Sequence, residues 1–284
     1  MTRTQGRARL GGIPVGSGRP VRISAAINVS PESFYKKSVA TTSKEIEAVA
    51  LSATEEGADL LDVGGMSSAP YLDSYVSVRE ETERVVGAIR LMRDLTDLPI
   101  SIDTQRAAVA RAAVNVGATI VNDVSGLLAD PSMAKAVSEL GVSLIITARE
   151  VKPHEGSSLD RLIIALRKSL GICGSNGVDP DKVVVDPGIG FFRDETVPWY
   201  QRDVEVLRDL RGLEDLGRPI HVGLSRKSFI GELLSQKDPV ERLHGSLAAT
   251  AIAVYNGADV IRTHDVKETV EVVRLSERIA GRRY

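Results

Sequence analysis

Eight short apolar segments rich in valine and isoleucine alternate along this chain with segments of helical periodicity. The strand-like segments are 21–29, 60–65, 99–104, 119–126, 143–148, 183–190, 219–225 and 260–265. Uninterrupted apolar strands of this kind are typical of a parallel sheet that is covered on both faces. Eight such strand–helix units predict an α/β protein with a single-domain (β/α)₈ TIM barrel fold.

Helical periodicity and local end signals place the connecting helices. The predicted helices are 43–58, 77–95, 106–117, 131–141, 158–173, 197–216, 239–258 and 266–280. The pairs Thr42 with Glu45 and Ser77 with Glu80 have the spacing of a capping box, which marks a helix start. A doubly wound open sheet is the alternative fold, but no G-x-G-x-x-G fingerprint follows the first strand.

The chain has no linker-like or low-complexity stretch that would divide it. We therefore expect residues 1–20 to be a lead-in segment, loose or hairpin-like, over the bottom of the barrel, and residues 21–284 to form the barrel. The single cysteine, Cys173, excludes an intrachain disulfide and is more simply a buried thiol than a nucleophile.

Charge and hydropathy exclude several classes of function. The net charge is −2 and the pI is about 6.2, which argues against a nucleic-acid or membrane-surface partner. No apolar run approaches the roughly 18 residues that span a bilayer, and no signal-peptide pattern follows the N-terminus. The expected location is the cytoplasm.

Polar side chains recur where the predicted strands end. Asp103, Asn122 and Asp186 stand at or near the ends of three of them. The carboxyl ends of parallel strands share one rim, and a carboxylate at the end of a buried strand needs a partner. Each residue alone would more often cap a helix, but three converging on one rim favour a planar ligand rich in N–H groups, such as a 2-amino-4-oxo-pyrimidine.

Cationic residues follow the last two strands. Arg226 and Lys227 come after the seventh strand, and Arg262 and His264 lie in the eighth. Barrels frequently bind phosphate at this position, although solvated surface charges are the simpler alternative. Together with the acidic residues, these cations predict a site with two parts, one that reads a heterocycle and one that holds an anion.

Seven motifs resemble those of dihydropteroate synthases, in order and over about residues 21–281. They are Asn28-Val-Ser-Pro-Glu-Ser-Phe34, Asp62-Val-Gly-Gly65, Ile102-Asp-Thr104, Asn122-Asp-Val124, Asp186-Pro-Gly-Ile-Gly190, Ser225-Arg-Lys-Ser-Phe-Ile-Gly231 and Arg262-Thr-His-Asp265. Members of that family are (β/α)₈ barrels, usually homodimeric, that join a dihydropterin-methyl diphosphate to an aryl amine with loss of pyrophosphate. The resemblance implies small-molecule substrates, a homodimer and Mg²⁺ as cofactor.

The resemblance also implies a role for each matching residue. Asp186 and Asn122 would bind the amino-pyrimidinone edge of the pterin, and Asp103 would stabilise positive charge as the diphosphate departs. The implied catalytic residues are Asp103, Lys227, Arg262 and His264; Lys227 and Arg262 would also contact the pterin. Asn28, Arg262 and His264 would serve the diphosphate, with Asn28 on the metal. No enzyme nucleophile is required.

Three departures from the family pattern fall on the acceptor side. Gly64-Gly-Met-Ser-Ser-Ala-Pro70 replaces Gly-Gly-Glu-Ser-Thr-Arg-Pro, Tyr35-Lys-Lys-Ser38 stands in the first loop, and Thr147-Ala-Arg-Glu150 replaces a His-Met element. The expected acceptor-binding residues are therefore Ser68, Lys36, Lys37, Arg149 and Ser225. This pattern resembles archaeal members whose acceptor is a ribofuranosyl-aminobenzene 5′-phosphate rather than p-aminobenzoate.

Two other functions share the barrel and its pterin residues. One is the pterin-binding domain of corrinoid-dependent methyltransferases, which generally lacks the Ser-Arg-Lys-Ser and Arg-x-His elements. The other is a pterin-binding paralogue without catalytic activity, to which the altered loops point. Release of pyrophosphate distinguishes a synthase from both.

Overall fold

The computed structural model describes residues 6–31, 35, 39–67, 76–150, 156–192 and 198–282. Its strands are β1 (Arg7–Leu10), β2 (Ile13–Gly16), β3 (Arg22–Asn28), β4 (Leu60–Gly64), β5 (Ile100–Asp103), β6 (Ile120–Asp123), β7 (Ser143–Thr147), β8 (Val183–Asp186), β9 (His221–Gly223) and β10 (Val260–Thr263). Its helices are α1 (Ser43–Glu55), α2 (Val78–Leu95), α3 (Ala107–Asn115), α4 (Met133–Leu140), α5 (Ser158–Ser175), α6 (Trp199–Arg208), α7 (Ser228–Leu234), α8 (Leu243–Tyr255) and α9 (Val266–Ile279). Short 3₁₀ helices span Pro180–Lys182, Leu210–Leu216 and Pro239–Arg242.

Strands β3 to β10 form one parallel sheet that closes on itself. The strand order is β8-β7-β6-β5-β4-β3-β10-β9. A parallel bridge between Val185 and Ile220 joins the two outer strands, and the Val185 amide donates to the Pro219 carbonyl at 3.0 Å. The predicted (β/α)₈ barrel is confirmed, and the open doubly wound sheet is wrong.

The observed helices differ from the predicted ones mainly in length. The predicted helix 197–216 divides into α6 and a 3₁₀ segment, and the predicted helix 239–258 begins with a 3₁₀ turn. Helix α7 was not predicted, because its seven residues are too few to establish a periodicity. The capping box of α1 is confirmed, since Thr42 accepts from the Glu45 amide and Glu45 accepts from the Thr42 amide.

The register of the strands arranges the inward-facing side chains in layers. Alternate residues of a strand face the barrel interior, and alternate strands contribute to each layer. Asp62, Asn122, Asp186 and Arg262 form a polar layer near the carboxyl ends of the strands. Beneath it lie Ser24, Ser101, Ile145 and His221, and beneath those lie Leu60, Ile120, Val184 and Val260.

An N-terminal hairpin closes the amino end of the barrel. Strands β1 and β2 pair antiparallel, and Ala8, Leu10 and Val15 pack against the lowest layer in one apolar cluster. The Ser143 hydroxyl donates to the Arg9 carbonyl at 2.8 Å and ties the hairpin to β7. Within the described part of the chain, this apolar cluster therefore separates the polar layer from the amino end of the barrel. Among the described residues, no helix is long and apolar enough to cross a membrane.

Candidate active site

Arg262 lies at the centre of the polar layer and binds two carboxylates. Its Nε donates to Asp62 Oδ2 at 2.5 Å, and its Nη2 donates to Asp103 Oδ2 at 3.3 Å. Asn122 Nδ2 lies 3.3 Å from Asp62 Oδ2 on the other side. Four side chains from four separate strands therefore form one hydrogen-bonded group across the barrel.

The two carboxylates beside Arg262 differ in how they titrate. Burial opposes ionisation of Asp62, but the positive charge of Arg262 together with hydrogen bonds from Ser101 and Arg262 holds the pKa of Asp62 below its usual value. Burial raises the pKa of Asp103 to about 7; Arg262 opposes this rise and the negative charge of Asp62 adds to it. Asp62 is thus the constant counter-ion, and Asp103 changes charge near neutral pH.

Asp186 presents a carboxylate whose orientation is set from two sides. Its Oδ1 accepts from the Gly188 amide at 2.6 Å, and its Oδ2 lies 2.6 Å from His221 Nδ1. Gly188 has a φ of +73°, and a Cβ there would approach the Ala148 carbonyl at 3.0 Å. The glycine is therefore required by the turn that lets the chain donate back to Asp186.

Lys227 reaches the site from the start of α7. Its Nζ donates to the Ile189 carbonyl and lies 5.0 Å from the centre of the Phe191 ring. Burial lowers the pKa of Lys227, whereas the negative charge of Asp186 opposes that shift. A Cβ on Gly223 would lie 3.7 Å from Arg262 Cβ and 3.9 Å from Lys227 Nζ, so the ammonium lies beside the central arginine.

A second hydrogen-bonded chain runs along the edge of the site. Ser225 Oγ donates to Asp265 at 3.3 Å, and His264 Nδ1 lies 2.9 Å from Ser225 Oγ. Burial and the charge of Arg262 lower the pKa of His264 to about 3, so its ring is neutral. His264 Nε2 then faces Asn28 Nδ2 at 3.5 Å as an acceptor, which turns the Asn28 carbonyl oxygen the other way.

Arg226, which the sequence places among the cations of the anion half, is engaged elsewhere. Its guanidinium binds both oxygens of Asp265, at 2.9 and 2.6 Å, and donates to the Val240 carbonyl at 2.6 Å. Tyr35 covers this ion pair with its ring 5.0 Å from the guanidinium carbon and packs edge-on against His264 at 5.3 Å. Arg226 therefore supports the loop rather than facing the pocket.

The structure brings together most of the residues that the sequence singles out. Asp103, Asn122, Asp186, Lys227 and Arg262 lie around the polar layer, and Asn28, Ser225 and His264 form the edge chain. Arg149 is exposed, and its neighbour Glu150 pairs with Arg161 at 2.7 Å and Arg202 at 3.2 Å. Lys36, Lys37 and Ser68 lie outside the described residues.

Three residues of the site were not predicted. Asp62 carries the same signal as Asp103, a carboxylate within an apolar strand, and could have been found by it. Tyr35 stands in the altered first loop, where the lysines drew attention instead, and His221 lies within an apolar strand outside the quoted motifs. Within the described residues there is no group of three histidine, cysteine or acidic side chains that could hold a metal ion.

A (β/α)₈ barrel with this acidic floor and adjoining cations matches a known class of protein. The family described as pterin binding enzyme matches residues 24–264. A dihydropteroate synthase of Synechocystis is 33% identical over 93% of this chain and 94% of its own length, and that of Escherichia coli K12 is 34% identical over 90% of each.

Solved structures agree with this class. The Xanthomonas albilineans dihydropteroate synthase with 4-aminobenzoic acid is 34% identical, with a TM-score of 0.86 over 97% of this chain and 98% of that one. The Clostridium difficile enzyme in the presence of pteroic acid is 35% identical, with a TM-score of 0.84 over 93% of this chain and 98% of that one. The chain belongs to the dihydropteroate synthase family, whose members are transferases.

The ion pair at the centre of the site is open to a double-mutant test. Arg262→Met should destabilise the fold by about 3–5 kcal/mol, because it leaves the buried Asp62 carboxylate without its counter-ion. Adding Asp62→Asn should recover much of that loss, and urea unfolding of the two single variants and the double variant measures the coupling. Strictly additive effects would show that the two groups do not depend on each other.

Proposed function

We propose that this protein condenses a 6-hydroxymethyl-dihydropterin diphosphate with p-aminobenzoate and releases pyrophosphate. The observation that carries the proposal is the polar layer itself, in which acidic, amide and cationic side chains from separate strands surround one opening. Such a layer complements a flat heterocycle that carries both N–H donors and ring acceptors. The likeness to synthases solved with 4-aminobenzoic acid, pteroic acid and 7,8-dihydropteroate supports the same reaction.

The pterin half of the site would recognise the ring through hydrogen bonds to the polar edge of the pyrimidinone. Asp186 offers lone pairs on both carboxylate oxygens to the amino and ring N–H groups of the pyrimidinone, and Asn122 adds an amide. Lys227 would contact the ring from the other side, beside Arg262. Charge-assisted hydrogen bonds of this kind are worth about 1.5–3 kcal/mol each.

The reaction is a displacement at the methylene carbon of the pterin. The bond from that carbon to the diphosphate oxygen breaks with its electron pair on the oxygen, the amine nitrogen bonds to the carbon, and the nitrogen loses a proton. Asp103 in its ionised form would stabilise the positive charge that develops on the pterin. Arg262 would lie against the pterin or reach the diphosphate, and the displacement requires no enzyme nucleophile.

The edge chain of Asn28, Ser225 and His264 would bind the diphosphate and its metal ion. The contact with His264 holds the Asn28 amide nitrogen, and an amide oxygen is a ligand type that suits a hard metal ion. Mg²⁺ is commonly held by one or two protein oxygens together with substrate phosphates and water, so a single amide oxygen fits it. When bound, Mg²⁺ would neutralise charge on the departing diphosphate. His264 would act by positioning Asn28, since its ring is neutral.

The acceptor is the second substrate of the proposed reaction. Phe191 and Lys227 lie together on the β8 side of the site, where an aryl amine would meet the methylene carbon. Ser225 is buried in the edge chain, and Arg149 is exposed at the end of β7. A ribofuranosyl-aminobenzene 5′-phosphate held by Lys36, Lys37, Ser68 and Arg149 stays a prediction, and no contact among the described residues favours it over p-aminobenzoate.

We also propose a homodimer and a cytoplasmic location. Helices α8 and α9 pack side by side on the outside of the barrel, and α8 has no charged residue. Their outer surface carries the exposed apolar side chains Ile252, Tyr255, Leu275 and Ile279, which are 49–68% exposed. A second copy of this chain is the occupant that the family resemblance implies for such a surface.

Activity is tested by pyrophosphate release. With Mg²⁺, pyrophosphate should appear only when the pterin diphosphate and an aryl amine are both present, in a one-to-one ratio with the pteroate product. Running p-aminobenzoate beside the phosphorylated ribosyl-aminobenzene compares the two acceptors by kcat/KM. A chain that binds the pterin but releases no pyrophosphate with either acceptor is a binding paralogue or a methyltransferase-type domain.

The charge of Asp103 predicts a pH dependence. Because burial raises the pKa of Asp103 to about 7, its stabilising carboxylate is lost as the pH falls below that value. The kcat/KM for the pterin diphosphate should therefore decline below about pH 7. Asp103→Asn should be slower throughout and lack this decline. An unchanged profile in the variant would assign the titration to the substrate instead.

The dimer surface predicts a change of mass in solution. Ile252→Lys places a charge at the centre of the apolar surface on α8, so it should convert a dimer into monomers in sedimentation experiments. Ile164→Lys on α5 is the matched control, because Ile164 is comparably exposed, at 44%, and α6 lies between α5 and α8. Equal masses for both variants and the unmodified chain would rule out this surface.

A further inference from the structure

We infer that His221 is a positioning residue that orients the Asp186 carboxylate and thereby sets the affinity for the pterin. The inference rests on the proposed function, because it takes Asp186 as the group that receives the polar edge of the ring. The two residues lie on neighbouring strands of the closed barrel, β9 and β8. The bridge between Val185 and Ile220 puts the next residue of each strand side by side on the inner surface.

The contact is short and shielded from water. His221 Nδ1 lies 2.6 Å from Asp186 Oδ2, and the His221 residue is 1% exposed. An ionised carboxylate only accepts hydrogen bonds, so the proton lies on Nδ1 and the imidazole donates. A charge-assisted bond in a dry interior is stronger than the same bond in water.

His221 occupies a position where an apolar side chain would pack more simply. It faces the layer that also holds Ile145, and the layer beneath it consists of Leu60, Ile120, Val184 and Val260. Its Nε2 is buried and has no hydrogen-bond partner among the described residues. A buried polar atom in that state destabilises the fold. The Nδ1 bond to Asp186 is the contact that an aliphatic residue could not supply.

The bond to His221 completes the restraint on the carboxylate. Gly188 N holds Oδ1 at 2.6 Å, and His221 Nδ1 holds Oδ2 at the same distance. The two hydrogen bonds restrain rotation of the carboxylate, and each oxygen keeps a lone pair with which it can accept from a ligand. A flat ligand with two adjacent N–H donors then meets a preorganised acceptor pair.

Substitutions at His221 separate orientation from packing. His221→Leu keeps a buried side chain of similar size but removes the donor, so it should weaken binding of a pterin by about tenfold or more, as loss of an orienting partner does elsewhere. His221→Asn should restore most of the affinity, because its Nδ2 lies near the position of the imidazole Nδ1. His221→Gln extends its amide farther and should not restore it.

Two measurements distinguish a specific loss of pterin affinity from a general loss of structure. Calorimetry with a pterin that lacks the diphosphate gives the affinity, and steady-state kinetics give the KM of each substrate. The KM for the pterin diphosphate should rise in His221→Leu while the KM for p-aminobenzoate stays within about twofold. The ¹⁵N shifts of the His221 ring should show Nδ1 protonated in the unmodified protein.

Two results would overturn the inference. Pterin affinity unchanged in His221→Leu would show that the contact does not matter for binding. Equal losses in His221→Asn and His221→Leu would show that His221 acts through packing alone. Asp186→Asn is the separate arm for the proposed function: if it binds the pterin normally, the assignment of Asp186 fails, whereas weak binding there with normal binding in His221→Leu removes only the role of His221.

Discussion

A cation buried among carboxylates is the constraint on which this site depends. Arg262 would be costly in the barrel interior without Asp62, and Asp62 would be equally costly without Arg262. The pair holds because the two strands place both side chains in one layer, at 2.5 Å. Once that pair exists, Asp103 is the second carboxylate beside a single guanidinium. Burial raises the pKa of Asp103, the charge of Arg262 opposes that rise, and the negative charge of Asp62 adds to it.

The apolar end of the barrel makes this polar arrangement possible. Leu10 and Val15 of the hairpin close the lowest layer, so water that could screen Arg262 and its partners reaches them only from the substrate side. In such surroundings hydrogen bonds and charges interact more strongly than at the surface, and the same groups become expensive when unpaired. A bound substrate that closes the opening would strengthen each of these interactions further.

The sequence predicts the scaffold of this site better than its contacts. Strand patterning predicts the barrel because few other folds accommodate eight buried parallel strands. The position of the site at the rim follows because the carboxyl ends of those strands converge there. The pairing of individual side chains cannot be predicted in this way. The sequence cannot show that Arg226 turns to Asp265 while Arg262 turns inward, since both are arginines next to strand ends. Asp62 was overlooked although it bears the same signal as Asp103. His221 lies within a strand, and its role follows only from its contact with Asp186, which closure of the barrel brings beside it.

Two carboxylates with separated pKa values give the site two different roles from one residue type. The lowered pKa of Asp62 keeps it ionised near neutral pH, where it holds Arg262 in place. Asp103 is poised near neutrality, where a positive charge arriving on the substrate would favour its ionised form. Formation of that charge and ionisation of Asp103 would therefore support each other, which is the behaviour expected of a group that stabilises a transient cation without bonding to it. Asp186 has its own donors, the Gly188 amide and His221 Nδ1, which orient it to read the ring.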